Sequence, residues 1–268
     1  MWLSFTARKR REPGDPELTQ EPLPRTHAAL VAEAARLKAA QLSKTALAEQ
    51  MRDAGINKLT CALQPHLIRG ADSVLDKPPD IMHIFGCGMT RIEPAWALEI
   101  LFKPGTKWAV DNAWAKLNAS IAALHLPRGK RISKLYPQKK DKAWNEMHLD
   151  LNAEETMLFM MHSVSLVEPL LTDDGREHQC WKSWLAHRAL VAKCLQHSFA
   201  DCDALLITEL IDNHEDKFAL VTQYRGLERP KAHFRKHLPD ALRRFGPFCG
   251  FWCMSWEAFL QERPWSSN

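Results

Sequence analysis

The chain has 268 residues, 46% of them hydrophobic, enough to bury a substantial core as one large domain or as one domain with a terminal extension. Its 36 Lys and Arg against 32 Asp and Glu give a net charge of only +4, so any nucleic-acid role has to come from local clusters and not from overall charge. Seven Cys without a hydrophobic signal region argue against a secreted disulfide framework, and no apolar run reaches the ~20 residues of a membrane span; a nuclear or cytoplasmic protein away from membranes is expected.

Residues 7–25 carry Arg8-Lys9-Arg10-Arg11, four Pro and several Glu, a composition that cannot bury enough surface to offset the entropy of ordering. A disordered arm over 1–25 is expected, its basic quartet either solvated or a nuclear-import or DNA-contacting patch. A predominantly helical domain over 26–261 and a flexible tail over 262–268 follow. Thr26 is a suitable N-cap and Gly55 a suitable C-cap for one long helix, or for two broken near Ser43. Leu30, Ala34, Leu37 and Leu42 form one apolar stripe, and Leu47, Met51 and Ile56 another.

Asp72 and Asp76 precede Pro78-Pro79, which imposes an extended backbone before Asp80-Ile-Met-His83. Asp80 and His83 lie three apart, so on a helix they share a face: the imidazole either bonds the carboxylate and supports a metal-bound water, or packs while Asp80 caps a helix. Gly86 and Gly88 allow close backbone approach, and an amphipathic helix is expected from about Glu93 to Phe102. Lys107 to Leu126 reads as another helix, with Val110, Ala113, Leu117, Ile121 and Leu124 inward.

Pro127 to Lys142 holds seven positive residues and one negative, the strongest basic cluster of the chain, with Arg128, Lys130, Arg131, Lys134, Lys139 and Lys140 around Tyr136. Phosphate attraction combined with stacking of a single strand on the ring is one reading; a solvated loop is the other. Asn152 caps a helix to about Glu168, with Glu154 and Glu155 at its positive dipole end and Pro169 ending it; Thr172 to Gly175 is a turn. From Gln179 to Phe199 a further helix places Cys180, His187, Cys194 and His197 on roughly one side. These are either zinc ligands or, since structural zinc sites draw closely spaced ligand pairs from two segments, buried small hydrophobes and packing histidines. Asp203 to Tyr224 is helical in whole or part, with 218–224 open to a short strand.

Lys231 to Glu257 is the densest stretch. Phe234, Leu238, Ala241, Leu242 and Phe245 recur at helical spacing with Lys231, Arg235, Lys236, Arg243 and Arg244 on the faces between, so a basic amphipathic segment is expected, with Pro239 at a start or kink and Gly246-Pro247 ending it. Beyond it, Glu257 is the single charge among Phe248, Phe251, Trp252, Met254, Trp256, Phe259 and Leu260. A carboxylate there sits at a core edge or serves a purpose, because an unpaired buried charge is costly. The chain has no dinucleotide or phosphate-loop signature, no nucleophile elbow and no CxxC pair, and lacks the alternating β-branched runs of a central sheet; it reads as mainly α, a multi-helix domain.

Pro79-Asp80-Ile-Met-His83, then Asn152-Ala-Glu-Glu155, then Lys231-Ala-His233-Phe, His237-Leu-Pro239, Phe245-Gly-Pro247 and Phe251-Trp-Cys-Met254 with Glu257 resemble, in this order, the C-terminal region of CACTA (En/Spm)-type transposon proteins. The resemblance spans about residues 55–261, and the last thirty of these carry its specific motifs. It implies a DDE transposase on an RNase H-like core, of which a small α/β remnant would be present, using Mg²⁺ held by carboxylates to activate water or a DNA 3′-OH. On that resemblance Glu257 is the third metal-holding acid, with Asp80 and His83 as supporting members of the catalytic set. The segment for the first acid is missing and no Asp can be matched to the second. The implied protein is therefore a DNA-binding fragment, open to oligomerisation, without autonomous strand transfer; the alternative is a helical scaffold or interaction module.

Overall fold

The computed structural model describes residues 32–53 apart from 34, 38 and 41, and residues 80–138, 143–224 and 234–250. At the Pro78-Pro79 pair the chain divides into two compact units, Met1–Pro78 and Pro79–Asn268. In the first, residues 32–33 and 35–37 are helical, and a second helix, α1, runs Lys44–Asp53. Leu42 and Ser43 between them are not helical. The break falls there because the Ser43 hydroxyl accepts from the Ala46 amide at 3.3 Å, taking up a donor that a helix start leaves free. Arg36 pairs with Glu33 at 2.7 Å and reaches Gln50 of α1 at 3.2 Å.

The second unit opens with Ile81 and a wide, π-helical segment, Met82–Met89, that leads directly into α2, Thr90–Leu101. The segment passes close to the helix behind it: a Cβ on Gly86 would stand 3.1 Å from that of Ala153, the close approach that a glycine permits. Pro94 lies inside α2, where its missing N–H leaves the Thr90 carbonyl without its usual donor. Helix α3, Ala113–Ala123, is shorter than the periodicity of 107–126 predicts. Asn112 adopts a left-handed φ of 57° just ahead of it, and the backbone before that is engaged elsewhere. Val110 N–H donates to Leu170 at 2.9 Å, and Trp108 accepts from Thr172 N–H at 3.1 Å, around an isolated antiparallel bridge between Ala109 and Leu171.

Helix α4, Ala153–Val167, has the expected N-terminus: Asn152 Oδ1 accepts from the Glu155 amide at 2.9 Å and Glu155 Oε2 from the Asn152 amide at 3.2 Å, a reciprocal capping box. Pro169 follows its end in a single 3₁₀ turn, Glu168–Leu170. Thr172 to Gly175 is not a free turn but the start of α5, Asp173–Glu177, because the Thr172 hydroxyl accepts from the Gly175 amide at 3.2 Å and so caps a helix. Helices α6, Gln179–Cys194, and α7, Asp203–Ala219, form the most extensive helix pair among the described residues, locked at the connecting end by Lys193 and Asp203 at 2.6 Å. The strand alternative for 218–224 gives way to a 3₁₀ turn at Thr222–Tyr224. Arg235–His237 form another such turn before α8, Leu238–Phe245, which Pro239 starts and Gly246 at φ 78° ends.

The core gathers the inward faces of α2, α4, α6, α7 and α8, with Trp96, Trp181, Trp184, Phe85, Phe159, Tyr224 and Phe248 fully enclosed. Among the described residues all regular structure is helical, so the mainly-α reading holds. The apolar stripes of the sequence are the faces that pack: Leu117 and Ile121 of α3, and Leu238, Ala241 and Leu242 of α8, are buried. No helix of the described residues is long and apolar enough to cross a membrane.

Gly175 has a sharper constraint than any capping residue. A Cβ there would lie 1.9 Å from the Trp108 carbonyl oxygen, backbone that the bridge to 170–172 holds in place. Gly175→Ala is expected to lower stability by about 1–3 kcal/mol, the usual cost of forcing extra volume into a packed site. Urea midpoints of the wild type and the variant check this, and an unchanged midpoint counts against the packing described.

Candidate functional site

The polar centre of the second unit is assembled from helices whose sequence registers place one or two hydrophilic residues on an otherwise apolar stripe. On α7 the inward positions are Ala204, Ile207, Ile211 and His214; on α6 they include Cys180, Trp184, His187, Val191 and Cys194. Glu93 lies in the first turn of α2, where the positive end of the helix dipole favours a carboxylate. All three side chains, Glu93, His187 and His214, are fully buried.

Their hydrogen bonds interlock. His214 Nε2 stands 2.8 Å from Glu93 Oε2, and its Nδ1 meets the Nη1 of Arg235. Because a guanidinium only donates, Nδ1 accepts and the His214 proton sits on Nε2, which donates to the carboxylate. A continuous chain results, from Arg235 through a neutral imidazole to Glu93. The Ser183 hydroxyl donates to Glu93 Oε1 at 2.5 Å, and Thr90 Oγ1 pairs with His187 Nε2 at 2.9 Å. His187 Nδ1 has no hydrogen-bond partner and faces Glu93 Oε2 at 3.9 Å. Arg235 also reaches Glu215 Oε1 at 3.3 Å, and Lys236 reaches Glu215 Oε2 at 3.2 Å. Phe85 and Phe218 border the two imidazoles, whose ring centroids are 4.7 Å apart. Beside this centre, burial pushes the Cys180 thiol up to about 12 and the Tyr224 phenol well above its ordinary range.

Sequence reading did not single out Glu93 or His214, and it placed His187 in a different set. The signal was present: each is a polar residue exactly in register with buried apolar neighbours on its own helix. Cys180 and Cys194 are buried, but His197 is exposed, and neither cysteine joins His187 in a ligand group; burial holds both thiols protonated. That zinc set is thus replaced, among the described residues, by Glu93, His187 and His214, whose ligand atoms all lie within 4.8 Å of one another.

Asp80 and His83 do meet, with Oδ2 and Nδ1 2.8 Å apart, while Asp80 Oδ1 accepts from the Met82 amide at 2.9 Å. Asp80 thus accepts at the helical start and also bonds the imidazole, the hydrogen-bonding part of one reading and the capping part of the other. Glu257, Lys139, Lys140 and Lys231 lie outside the described residues, as do Asp72, Asp76 and the basic quartet at 8–11. Arg235 is not a surface contact for phosphate, since it is only 4% exposed and its guanidinium is turned to His214 and Glu215. Arg243 pairs with Asp240 at 2.8 Å, and Arg244 lies over the Phe245 ring at 5.3 Å, both from exposed positions on α8.

Arg128, Lys130, Arg131 and Lys134 are exposed along an extended ribbon. Ile132 and Leu135 anchor it in the core, and Asn118 of α3 grips Leu135 from both sides, accepting from its N–H at 2.8 Å and donating to its carbonyl at 2.7 Å. Further along, Gln138 N–H donates to Glu99 at 2.5 Å. Lys130 pairs with Glu154, and Arg131 lies 3.5 Å from Glu155 with its side chain 84% exposed. Tyr136 stands out at 66% exposure.

Two shifts at the buried centre set its response to acid. Burial alone would raise the Glu93 carboxyl, but the His214 imidazole bonded to it and the neighbouring His187 and Ser183 outweigh burial and hold it at about 2. Burial, with His214 and Arg235 nearby, lowers His187 to about 3. Both folded values lie below the unfolded ones, so both groups stabilise the fold at high pH and lose that contribution as pH falls, His187 from about 6.5 downward and Glu93 from about 4.5 downward. Urea midpoints are expected to decline steadily below about pH 6.5, and His187→Gln is expected to flatten the upper part of that decline. A midpoint independent of pH between 6.5 and 4.5 contradicts the neutral, buried assignment of His187.

Compared with protein families, with curated proteins and with solved structures, the chain matches none.

Proposed function

We propose that the chain binds DNA non-specifically through the ribbon 128–136, as a helical, transposon-derived protein without strand-transfer activity of its own. The observation that carries this is the anchored ribbon itself. Its apolar residues are held in the core, so four cations and one aromatic ring project from a backbone whose ordering entropy was already spent in folding. Arg128 and Lys134 form no ion pair with a described residue, and Tyr136 offers a stacking face between them and Gln138. Cations supply affinity for phosphates, and an exposed ring supplies sequence-tolerant stacking for a single strand.

The transposase part of the proposal rests on the motif order of the sequence, and the small RNase H-like remnant rests on that resemblance alone. The lack of strand-transfer activity in the proposal rests on the same motif reading, which finds no segment for the first acid and no Asp matched to the second. A second reading, a helical interaction module, is favoured by α7. Leu205 and Leu206 are exposed there at 58% and 39%, on a helix whose exposed positions also include Glu209, Asp212 and Asp216, charges that repel DNA.

Fluorescence anisotropy with labelled single- and double-stranded DNA of mixed sequence separates the readings. Affinity is expected to fall steeply between low and moderate salt. Arg128→Ala with Lys134→Ala should reduce the salt slope by about 1–2, and Tyr136→Ala should weaken single-strand binding by roughly tenfold. Binding that is absent, or indifferent to salt, rules out the DNA reading and leaves the interaction module. Incubation of DNA with the chain and Mg²⁺ or Mn²⁺ is expected to give no cutting; robust cleavage that Glu257→Gln abolishes overturns the non-catalytic assignment.

A further inference from the structure

The centre of Glu93, His187 and His214 contains six side-chain polar atoms. Five have a hydrogen-bond or ion partner at bonding distance, and His187 Nδ1 has none although it is sealed from water and aimed at Glu93 Oε2. A buried nitrogen left unpaired needs an explanation, and a bound ion is one of the few available. The outer contacts also leave the right atoms facing inward. Thr90 takes the Nε2 side of His187, so a proton there leaves the Nδ1 lone pair free, and Ser183 takes Glu93 Oε1, so that Oε2 is the oxygen facing both imidazoles.

We propose that Glu93 Oε2, His187 Nδ1 and His214 Nε2 form a binding site for a divalent ion of the zinc class, with Arg235 as the cation that holds the centre when no metal is bound. Tetrahedral bonds of about 2.0–2.2 Å require ligand atoms about 3.4 Å apart. The observed separations from Glu93 Oε2 are 2.8 Å to His214 Nε2 and 3.9 Å to His187 Nδ1, one shorter and one longer than that value, so side-chain adjustments of a fraction of an ångström accommodate the ion along these two edges, and all three ligand atoms lie within 4.8 Å of one another. Imidazole nitrogens with one carboxylate suit zinc and its borderline neighbours better than Mg²⁺, which prefers oxygen. The site is a different set of residues from those expected to hold Mg²⁺ for DNA chemistry, and it stands or falls independently of DNA binding.

His214 is where metal and arginine compete. While Arg235 donates to Nδ1, the imidazole proton occupies Nε2, the atom the metal requires. Binding therefore moves that proton from Nε2 to Nδ1, keeping the ring neutral and releasing no net proton, and Arg235 withdraws from Nδ1. Its new partner is at hand, because Nη2 already lies 3.3 Å from Glu215 Oε1. A side chain at position 235 that accepts a hydrogen bond instead of donating one would support the metal-bound tautomer.

The test uses the full chain. After equilibration with Zn²⁺ and removal of free metal, atomic emission is expected to give one zinc per folded chain. Co²⁺ as a probe should produce visible bands of a nitrogen- and oxygen-ligated ion without the near-ultraviolet thiolate band that capture by the seven Cys would give. Arg235→Gln, whose amide oxygen accepts from Nδ1–H, should bind Zn²⁺ about tenfold or more tightly than the wild type, and His187→Gln should lose the site. Circular dichroism establishes that each protein is folded; if a variant is not, the wild-type stoichiometry and cobalt spectrum decide. A folded wild type that retains no zinc, a cobalt spectrum dominated by thiolate, or a folded Arg235→Gln that binds no more tightly overturns the proposal.

Discussion

A carboxylate with no access to water has to be compensated within the protein, and the second unit is arranged around that requirement. Glu93 sits at the N-terminal turn of α2, receives the Ser183 hydroxyl from α6 and the His214 imidazole from α7, and through His214 is tied to Arg235 just before α8. One charge thereby ties together three helices and the turn that precedes α8. Removing one partner of a buried ionic set while leaving the rest costs about 3–5 kcal/mol, a large share of the stability of an ordinary domain. Apolar contacts among Trp96, Trp181, Trp184 and their neighbours supply bulk stabilisation, but a hydrophobic face tolerates sliding by a residue far better than a hydrogen-bonded charge does.

The two places where cations gather obey opposite rules. Arg235 is desolvated, so its position is dictated by Glu93, His214 and Glu215, and it has no freedom to serve a ligand at the surface. The ribbon cations are solvated, so their ion pairs with Glu154 and Glu155 are weak. What the ribbon gains from the fold is not charge but shape: Ile132, Leu135 and the Asn118 clamp convert a stretch with two prolines into a fixed edge. Rigid presentation of mobile charges is the arrangement that a polyanion partner rewards, because little further ordering is needed on binding.

Much of the local structure was legible in the residues. The Asn152 capping box, the helix break at Ser43, the Pro239 start and Gly246 stop of α8, and the pairing of Asp80 with His83 each follow from side chains reaching backbone or neighbours within four positions. The misreadings have a common cause. Residues 107–112 keep a helical pattern but spend their backbone hydrogen bonds on 170–172, and Arg235 keeps the spacing of a surface cation but points at a histidine on α7. In each case a partner tens of residues away overrode the local preference.

By itself, then, the sequence determined a mainly helical protein, the inward face of most of its helices, many of their caps, and the basic composition of the ribbon. These depend on periodicity and on short-range hydrogen bonds, which a linear reading can follow. Only the tertiary structure decided that Glu93, His187 and His214 converge, that Arg235 is the cation facing them, and that the ribbon cations are presented on a rigid edge. Convergence depends on how helices cross, and burial changes what a charged or imidazole side chain must do once water is excluded.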